Sequence, residues 1–360
     1  MEPIRISCVG DFLPADTAYT MGTGIGSNIP GLIEYYSKNE NNPFQNSDIV
    51  FCNLEAPLIL NPGSVKIPFE GNADVLRLMK ILNISVVSIA NNHILDHGKN
   101  GLDETIHLLD SNGFSQIGTR EGNVSKIALL ECKGKQIAFA AFNGINDHPE
   151  GTLIASLGRE IVFKTLDEIK NQTHDFIIFS FHWGNEYVTW PSPLQVDLAH
   201  ELIDNGVNVI IGHHPHVVQP VEKYHGGIII YSLGNFLFDM FWSKNVRNGI
   251  QVNLDIHDDK SIDYQIKKFR IKPDFTQDYI KKKVSVYKPI KSDKKLDLLQ
   301  KGSREFYEKA YLSECNKRRM QARLQMKLYL LWNVFRLSRQ SGRLLFRNIK
   351  MKSRSLWGKN

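Results

Sequence analysis

Acidic residues are missing from one end of this sequence, because none follows Glu314 in a chain of 360 residues. From Lys260 onward there are 28 lysines and arginines against 8 acidic residues, which leaves 16 against 30 in the preceding part. The formal net charge of +6 therefore conceals an acidic first part and a strongly basic tail. Nucleic acid is disfavoured as a partner, since most of the chain is acidic and contains no known nucleic-acid-binding module.

Cysteines and long apolar runs are also scarce. The four cysteines show no paired spacing, and Cys8 and Cys52 lie inside apolar runs, so we expect reduced, structural thiols. No apolar stretch approaches the roughly 20 residues that span a bilayer. A strand that begins near Ile4 leaves no room for a secretory signal. We therefore expect a cytoplasmic protein, or one held peripherally on the cytoplasmic face of the membrane.

The apolar pattern predicts an α/β fold. Strand-like runs alternate with amphipathic stretches from Ile4 to about Phe142 and again from Phe176 to Tyr231, which is a βαβ rhythm. Alternating residues on both sides of Asp258-Asp259-Lys260 then predict an antiparallel hairpin. We predict a catalytic domain over residues 1–272, a linker or surface segment over 273–295 and a basic amphipathic helical tail over 296–360.

Side chains with oxygen or imidazole donors follow the apolar runs directly. In open α/β folds the chemistry gathers beyond the carboxyl ends of the strands. Carboxylate, amide and imidazole donors suit two divalent ions about 3.5 to 4 Å apart, with Mn, Fe and Zn fitting about equally well. We therefore predict a binuclear metal site. The candidate ligands are Asp11, Glu55, Asn92, His182, His214 and His216.

Two local patterns suggest more specific roles. His214 and His216 are two positions apart, so in an extended backbone their rings would project from the same side, and Pro215 would stiffen the turn. His93 follows the candidate ligand Asn92 and is placed to act as a general acid, with Asp96 as a partner that orients its ring.

Further polar and aromatic residues lie close to these motifs. The candidate substrate-binding residues are Trp183, Glu186 and Asn235. Several alternatives remain open from the residues alone. Asn53 and Glu55 could form a surface turn, the asparagine pair could cap a helix or turn, His182 could stack on Trp183 as a structural residue, and Asn235 could cap the following segment. His213 is predicted to be structural.

Six short motifs follow one another along the chain: Gly10-Asp11, Asn53-Leu54-Glu55, Asn91-Asn92-His93, His182-Trp183-Gly184, His214-Pro215-His216 and Gly234-Asn235-Phe236. In this order they resemble the CapA family, which is named for poly-γ-glutamate capsule synthesis and belongs to the calcineurin-like metallophosphoesterase superfamily. The resemblance covers roughly residues 4–271 and implies a four-layer α/β/β/α sandwich with a metal site at one end of two sheets. It places the six candidate ligands on metal-ligand positions and His93 on the catalytic histidine. Leu13 stands where the superfamily normally has a histidine, and Glu55 takes the bridging aspartate position.

The basic tail has a helical rhythm of apolar residues among arginines and lysines over 317–347. Such a segment suits anionic lipid headgroups, with Trp332, Phe335 and Phe346 at the interface. The alternatives are a helical cap on the acidic domain, or disorder.

Two functional hypotheses follow. The first is a metal-dependent hydrolase, either phosphoesterase-like or an amidase, acting on a phosphoester or a polyanionic polymer. The second is a non-catalytic, membrane-associated component that binds or guides an anionic capsule polymer during synthesis or export, alongside capsule-synthesis proteins. The presence of His93 beside Asn92 favours the hydrolase hypothesis, whereas Leu13 in the place of a histidine favours the non-catalytic hypothesis.

Overall fold

The computed structural model describes residues 2–60, 68–145, 150–280 and 303–336. The helices are α1 (Ile25–Tyr36), α2 (Val75–Ile81), α3 (Gly98–Ser111), α4 (Arg159–Lys170), α5 (Pro193–Asp204) and α6 (Arg304–Arg336), with short 3-10 turns at Asn39–Asn41 and Gly151–Leu153. The strands are β1 (Ile4–Phe12), β2 (Ile49–Leu54), β3 (Leu58–Ile59), β4 (Gly71–Asn72), β5 (Val86–Ser88), β6 (Ser115–Ile117), β7 (Arg120–Glu121), β8 (Val124–Ser125), β9 (Ala128–Cys132), β10 (Lys135–Asn143), β11 (Phe176–His182), β12 (Val209–His213), β13 (Val221–Tyr224), β14 (Gly227–Ile230), β15 (Asn235–Leu237), β16 (Asn248–Ile256), β17 (Ile262–Ile271) and β18 (Gln277–Tyr279).

Two larger sheets form the centre of the fold. The first has the order β18-β17-β16-β1-β2-β5-β6, with β15 also paired to β1, and the second has the order β13-β14-β12-β11-β10-β9. Strands β1, β2, β5 and β6 run parallel, as do β10, β11, β12 and β14. Their uninterrupted apolar runs match their burial on both faces.

The sheets pack face to face, with helices on their outer sides. Phe51 of the first sheet stacks on Phe139 of the second, with ring centroids 6.2 Å apart. Helices α1, α2 and α3 share the larger core with the first sheet, whereas α4 and α5 share a separate core with the second. This arrangement confirms the α/β/β/α sandwich, and it brings the carboxyl ends of the parallel strands from both sheets to a common edge.

The predicted hairpin is present as β16 and β17. Strand β16 pairs antiparallel with β1, so the hairpin extends the first sheet. Strand β18 continues that sheet within the segment predicted as a linker, because three residues are too few to show a period in the sequence. Residues 281–295 of that segment lie outside the described residues.

The amino-terminal part of helix α6 packs on the loop that follows β11. Tyr307, Tyr311 and Cys315 form a small apolar cluster with Val188 and Trp190. Within the described ranges, no helix combines the length and apolar character needed to cross a bilayer. The tail residues 337–360, including Phe346, lie outside the described residues, as do the side chains of Trp332 and Phe335.

Candidate metal centre

The predicted ligands converge where the strands of the two sheets end. Asp11 is the penultimate residue of β1 and Glu55 directly follows β2, so both carboxylates come from the first sheet. His182 is the last residue of β11, and His216 follows β12 by three residues, so the imidazoles come from the second sheet. All four side chains are buried.

The donor atoms of this group lie close together. Asp11, Glu55 and His182 each present one possible ligand atom, and these three atoms lie within 4.8 Å of one another. His216 lies between the carboxylates, with Nδ1 3.3 Å from Asp11 Oδ2 and Nε2 3.6 Å from Glu55 Oε1. His182 Nε2 lies 2.9 Å from Asn92 Oδ1 and 3.8 Å from Glu55 Oε1. The structure thus brings five of the six predicted ligands into one cluster.

Glycine at position 10 is what lets β1 approach its neighbour at this point. A Cβ on Gly10 would lie 1.7 Å from the carbonyl oxygen of Gly234. The adjacent Asp11 N–H donates to that same carbonyl at 3.0 Å, and the register of β1 against β2 shifts between Cys8 and Asp11. The close backbone contact therefore fixes the direction of the Asp11 carboxylate.

Buried polar atoms without hydrogen-bond partners indicate whether the site could bind a metal ion. Glu55 Oε1, His213 Nε2 and His214 Nδ1 are buried and accept or donate no hydrogen bond within the described part of the chain. Buried polar atoms without partners are rare and costly in folded proteins. Carboxylate, imidazole and amide donors form a set suited to Mn, Fe or Zn. The residues present therefore fit a divalent metal site.

The ionisable side chains of the site strongly shift one another's pKa values. Burial and the nearby Asp11 carboxylate raise the pKa of Glu55 well above its usual range. Burial alone would raise the pKa of Asp11, yet hydrogen bonds from His213 and His216 hold it well below normal. Burial opposes protonation of His216, but Glu55 and Asp11 raise the pKa of its imidazole to about 10. Without a cation, a proton on His216 compensates the carboxylates.

The other two imidazoles are held neutral, which is the form that binds a metal. Burial, followed by the effect of His214, lowers the pKa of His182 well below its usual value. Burial also lowers the pKa of His214 to about 4. Their rings lie 4.8 Å apart.

The turn that carries His214 and His216 is not extended. Both residues adopt positive φ angles, 91° for His214 and 54° for His216. The expectation of an extended backbone that projects both rings from the same side was therefore wrong. The backbone N–H of His214 donates to Asp11 Oδ2 at 3.3 Å, so the turn folds back onto the carboxylate. The two ring centroids lie 6.0 Å apart.

His93 lies beside this cluster. Its Nδ1 is 2.8 Å from Asp96 Oδ2, which gives the pairing expected from the sequence. Asn91 shapes the turn, because its side-chain oxygen accepts from the backbone N–H groups of His93 and Ile94. The ring of Phe69 stacks on His93, a contact that no local pattern in the sequence predicted.

Asn53 has a role that was not predicted from the sequence. Its Nδ2 lies 2.9 Å from Asp11 Oδ1, 3.3 Å from Glu55 Oε2 and 3.4 Å from His182 Nδ1. Its own oxygen accepts from Asn91 Nδ2 at 3.1 Å. The side-chain amide of Asn53 thus orients both carboxylates. The sequence feature that could have predicted this role is the position of Asn53 in the Asn53-Leu54-Glu55 motif.

The three predicted substrate-binding residues lie in different places. Glu186 lies close to the candidate ligands His214 and His216: burial would raise its pKa, but these two imidazoles lower it. Asn235 is fully buried behind His216, with Oδ1 2.9 Å from the His216 Nδ1. That contact leaves the His216 Nε2 free for a metal.

Neither Trp183 nor Leu13 contributes a polar atom to the site. Trp183 belongs to the core of the second sheet, stacks on Phe181 and donates its indole N–H to the carbonyl of Tyr231. The structure therefore does not bring Trp183 to a substrate surface. Leu13 is fully buried and offers no ligand atom. His213, predicted as structural, donates from Nδ1 toward Asp11 Oδ1 at 3.1 Å.

Comparisons with known proteins include relatives that are described as capsule-synthesis proteins. A family model described as "Bacterial capsule synthesis protein PGA_cap" matches residues 5–240. The capsule biosynthesis protein CapA of Bacillus anthracis is 28% identical over 259 residues, which cover 68% of this chain and 62% of that protein. The PGA biosynthesis protein CapA of Bacillus subtilis (strain 168) is 31% identical over 215 residues, which cover 56% of each chain. The similarity thus spans somewhat more than half the length of these two relatives.

Solved structures with a similar arrangement are more distant. A hypothetical protein from Thermus thermophilus has 14% identity and a TM-score of 0.45, covering 74% of this chain and 99% of that chain. The 5'-nucleotidase of Candida albicans SC5314 has 10% identity and a TM-score of 0.45, covering 89% of this chain and 59% of that chain.

Proposed function

The chain belongs to the bacterial capsule synthesis protein family, a branch of the calcineurin-like phosphoesterase superfamily, and on that basis we propose that it is a capsule-biosynthesis protein with a metal-dependent hydrolase site. One observation carries this proposal. Two buried carboxylates and two buried imidazoles from different sheets meet with atoms 3.3, 3.6 and 3.8 Å apart, and Glu55 Oε1 among them has no hydrogen-bond partner in the described residues.

Five residues would hold the metal ions, and a sixth lies in reach. The protein donors are Asp11, Glu55, Asn92, His182 and His216, with His214 offering its unpartnered Nδ1. Bound divalent ions in such a site polarise the scissile group and lower the pKa of water. Asn53 and Asn235 orient the ligands, so the site is arranged before a metal enters.

His93 is the proposed proton donor to the leaving group. Asp96 holds the Nδ1 of its ring, which leaves Nε2 to carry and release the proton. Phe69 covers one face of the ring and limits its rotation. Glu186, beside His214 and His216, is proposed to orient the substrate.

The proposed substrate is an anionic polymer of the kind named for the relatives, and the proposed partners are other capsule-synthesis proteins. Attachment to an anionic membrane surface is proposed through the basic tail. Exposed apolar side chains recur on α6 among arginines and lysines, which suits a headgroup layer. They are Met320, Leu324, Leu328 and Leu331.

A second candidate function is non-catalytic binding and guidance of that polymer. Leu13 favours it, because this buried side chain stands where the wider superfamily supplies a histidine and gives no ligand atom. A site with fewer ligands for one ion binds that ion less tightly, and the metal would then hold the polymer rather than cleave it.

Turnover separates the two candidates. The protein, supplied with Mn²⁺ or Zn²⁺, is assayed on phosphomonoesters, phosphodiesters and γ-glutamyl amides, together with Asp11→Asn and His93→Ala. For a hydrolase, loss of the general acid is expected to lower kcat by about 10² to 10⁴. The matched control is His107→Gln, which removes an exposed imidazole from α3 and leaves turnover unchanged. Absence of turnover on every substrate, with polymer binding intact, supports the second candidate.

A further inference from the structure

One exposed face of α6 carries a row of cations beside a row of apolar side chains. Within each row the residues are four positions apart, so they are neighbours on the helix surface. The chain has no acidic residue after Glu314, so nothing further along α6 opposes these cations. Such a face suits an anionic lipid surface, because the cations reach the headgroups while the apolar side chains enter the layer. The cations are Arg319, Arg323 and Lys327, and the apolar residues are Met320, Leu324 and Leu328.

Arg319 belongs to this face and also contacts the loop that follows β11. Its Nη2 donates to Asn185 Oδ1 at 2.6 Å, and Asn185 Nδ2 donates to the Tyr311 hydroxyl at 3.0 Å. Both polar groups of the Asn185 side chain are thus bound by α6. Tyr311 is buried, whereas Arg319 is exposed, so the Arg319 contact is the one that is open to a competitor.

The loop that carries Asn185 leads directly to the metal centre. Glu186, the residue proposed to orient the substrate, is the next residue along the chain. The backbone N–H of Tyr187 then donates to the carbonyl of Pro215 at 2.8 Å, within the turn that carries the site histidines. The loop is therefore bound by α6 on one side of Glu186 and by the histidine turn on the other.

The same loop has a backbone conformation that needs support from its surroundings. Gly184 has a φ of 83° and Tyr187 a φ of 66°, and these two residues flank Asn185 and Glu186. A left-handed conformation is costly for a residue as bulky as tyrosine, and it persists only where neighbouring contacts hold it. Loss of the Arg319 contact removes part of that support.

We propose that α6 couples an anionic lipid surface to the metal centre through Arg319. On the surface, the Arg319 guanidinium binds a headgroup phosphate and leaves Asn185, so the loop with Glu186 is released. The exchange favours the headgroups, because a charged acceptor forms a stronger hydrogen bond than a neutral amide and because Arg323 and Lys327 bind the same surface. The inference rests on the membrane attachment in the proposed function and adds regulation of the site by that attachment.

Hydrogen exchange of the full chain tests this coupling. The Tyr187 N–H reports on the loop, and the amides of residues 308–315 report on the docked part of α6. Vesicles of phosphatidylcholine and phosphatidylglycerol are expected to speed exchange at Tyr187 by about five- to tenfold, as for the loss of one hydrogen bond. The amides of 308–315 should stay protected, and vesicles of phosphatidylcholine alone should change neither.

Two charge variants of the cationic row isolate the contact with Asn185. Arg319→Gln is expected to show the faster Tyr187 exchange without vesicles and no further rise with them. The matched control is Arg323→Gln, which removes an equal charge one turn further along the helix. It should show slow exchange without vesicles and the full rise once more vesicles offset its weaker binding. Thermal unfolding of both variants reports on folding.

The outcomes separate the coupling from the proposed function, and none depends on turnover. If the chain binds anionic vesicles without faster exchange at Tyr187, or if both variants behave alike, the coupling is wrong and membrane attachment stands. If soluble glycerol phosphate has the same effect as the vesicles, Arg319 responds to a free anion and the lipid surface is the wrong partner. If residues 308–315 lose protection together with Tyr187, undocking of the whole helix replaces the exchange at Arg319. If the chain binds no anionic vesicle, membrane attachment and the coupling both fail.

Discussion

The ring of Phe69 lies parallel to the imidazole of His93, with centroids 4.2 Å apart and planes inclined by 5°. Phe69 adopts a φ of 60°, a region that bulky residues rarely occupy, and its N–H donates to the carbonyl of Asp16 at 3.0 Å. Backbone strain at a residue that packs on the proposed acid indicates that the position of this ring matters.

Phe69 is therefore expected to act as a positioning residue for His93. Phe69→Ala should lower kcat by about tenfold without changing metal content, because the imidazole gains rotational freedom and leaves its productive orientation. Phe69→Tyr keeps the stacked ring and is expected to restore most of the rate. An equal loss of rate in both variants, or a loss of metal in Phe69→Ala, would assign Phe69 a purely structural role. Steady-state kinetics with elemental analysis distinguishes these results.

Metal binding is expected to strengthen with rising pH. The imidazole of His216 has a pKa of about 10 in the metal-free site, so a metal ion must displace its proton at neutral pH. The metal Kd should fall as the pH rises toward 10. Calorimetry in two buffers of different ionisation enthalpy should detect proton release near neutral pH, and an absence of release would contradict the assignment of His216 as a ligand.

The same raised pKa makes the metal-free fold sensitive to base. The stability that protonated His216 contributes is complete below its unfolded value of 6.5 and is lost as the pH rises through about 10. The midpoint of thermal unfolding in EDTA should therefore decline over that interval, whereas the metal-loaded protein should show a smaller decline. His216→Asn provides the comparison, because it removes the titrating group.

The positions of the ligands could be predicted from the sequence because a buried parallel strand has a recognisable apolar run, and its carboxyl end is the edge where α/β folds place their sites. The convergence of Asp11, Glu55 and His182, which could hold a metal ion, was predicted in this way. Phe69 could not be found, since it reaches His93 from 24 positions away through a contact that has no local period. The positive φ angles of His214 and His216 could not be predicted from the sequence either, because glycine is the usual residue in that conformation.

The packing of α6 on the rest of the fold was considered only as an alternative, for a different reason. Its buried stripe, Tyr307, Tyr311 and Cys315, has a spacing of four residues, which is a helical signal. The prediction for the tail relied on the residues from Lys317 onward, and a membrane surface was favoured over a helical cap. Among the described side chains of that part, Met320, Leu324, Leu328 and Leu331 are exposed.

Docking of α6 is expected to depend on this stripe. Tyr311→Ala removes a buried ring and its hydrogen bond to Asn185, which should weaken docking by about 3 kcal/mol. Hydrogen exchange of α6 and of the loop around Asn185 should accelerate together. Leu312→Ala is the control, because that neighbouring side chain is 62% exposed and should leave exchange unchanged. Unchanged exchange in Tyr311→Ala would contradict the docked helix.

Gly10 is expected to tolerate no side chain. Gly10→Ala places a methyl group 1.7 Å from the carbonyl oxygen of Gly234, so the backbone that orients Asp11 must move. We expect a loss of stability of about 3 kcal/mol or more, measured by denaturant unfolding. Gly31→Ala in α1 is the control, since nothing lies within 4 Å of the added Cβ, and it should be neutral or slightly stabilising. Equal stability of the two variants would contradict the close contact.

The metal content of the purified protein tests the central claim most directly. Protein prepared without added metal, and again after incubation with Mn²⁺ or Zn²⁺ and removal of excess, is analysed by elemental mass spectrometry beside the double variant His214→Ala/His216→Ala. We predict about two ions per wild-type chain, and loss of metal in the double variant with the fold retained by circular dichroism. A wild type that remains metal-free after incubation would contradict the metal centre and the hydrolase hypothesis with it.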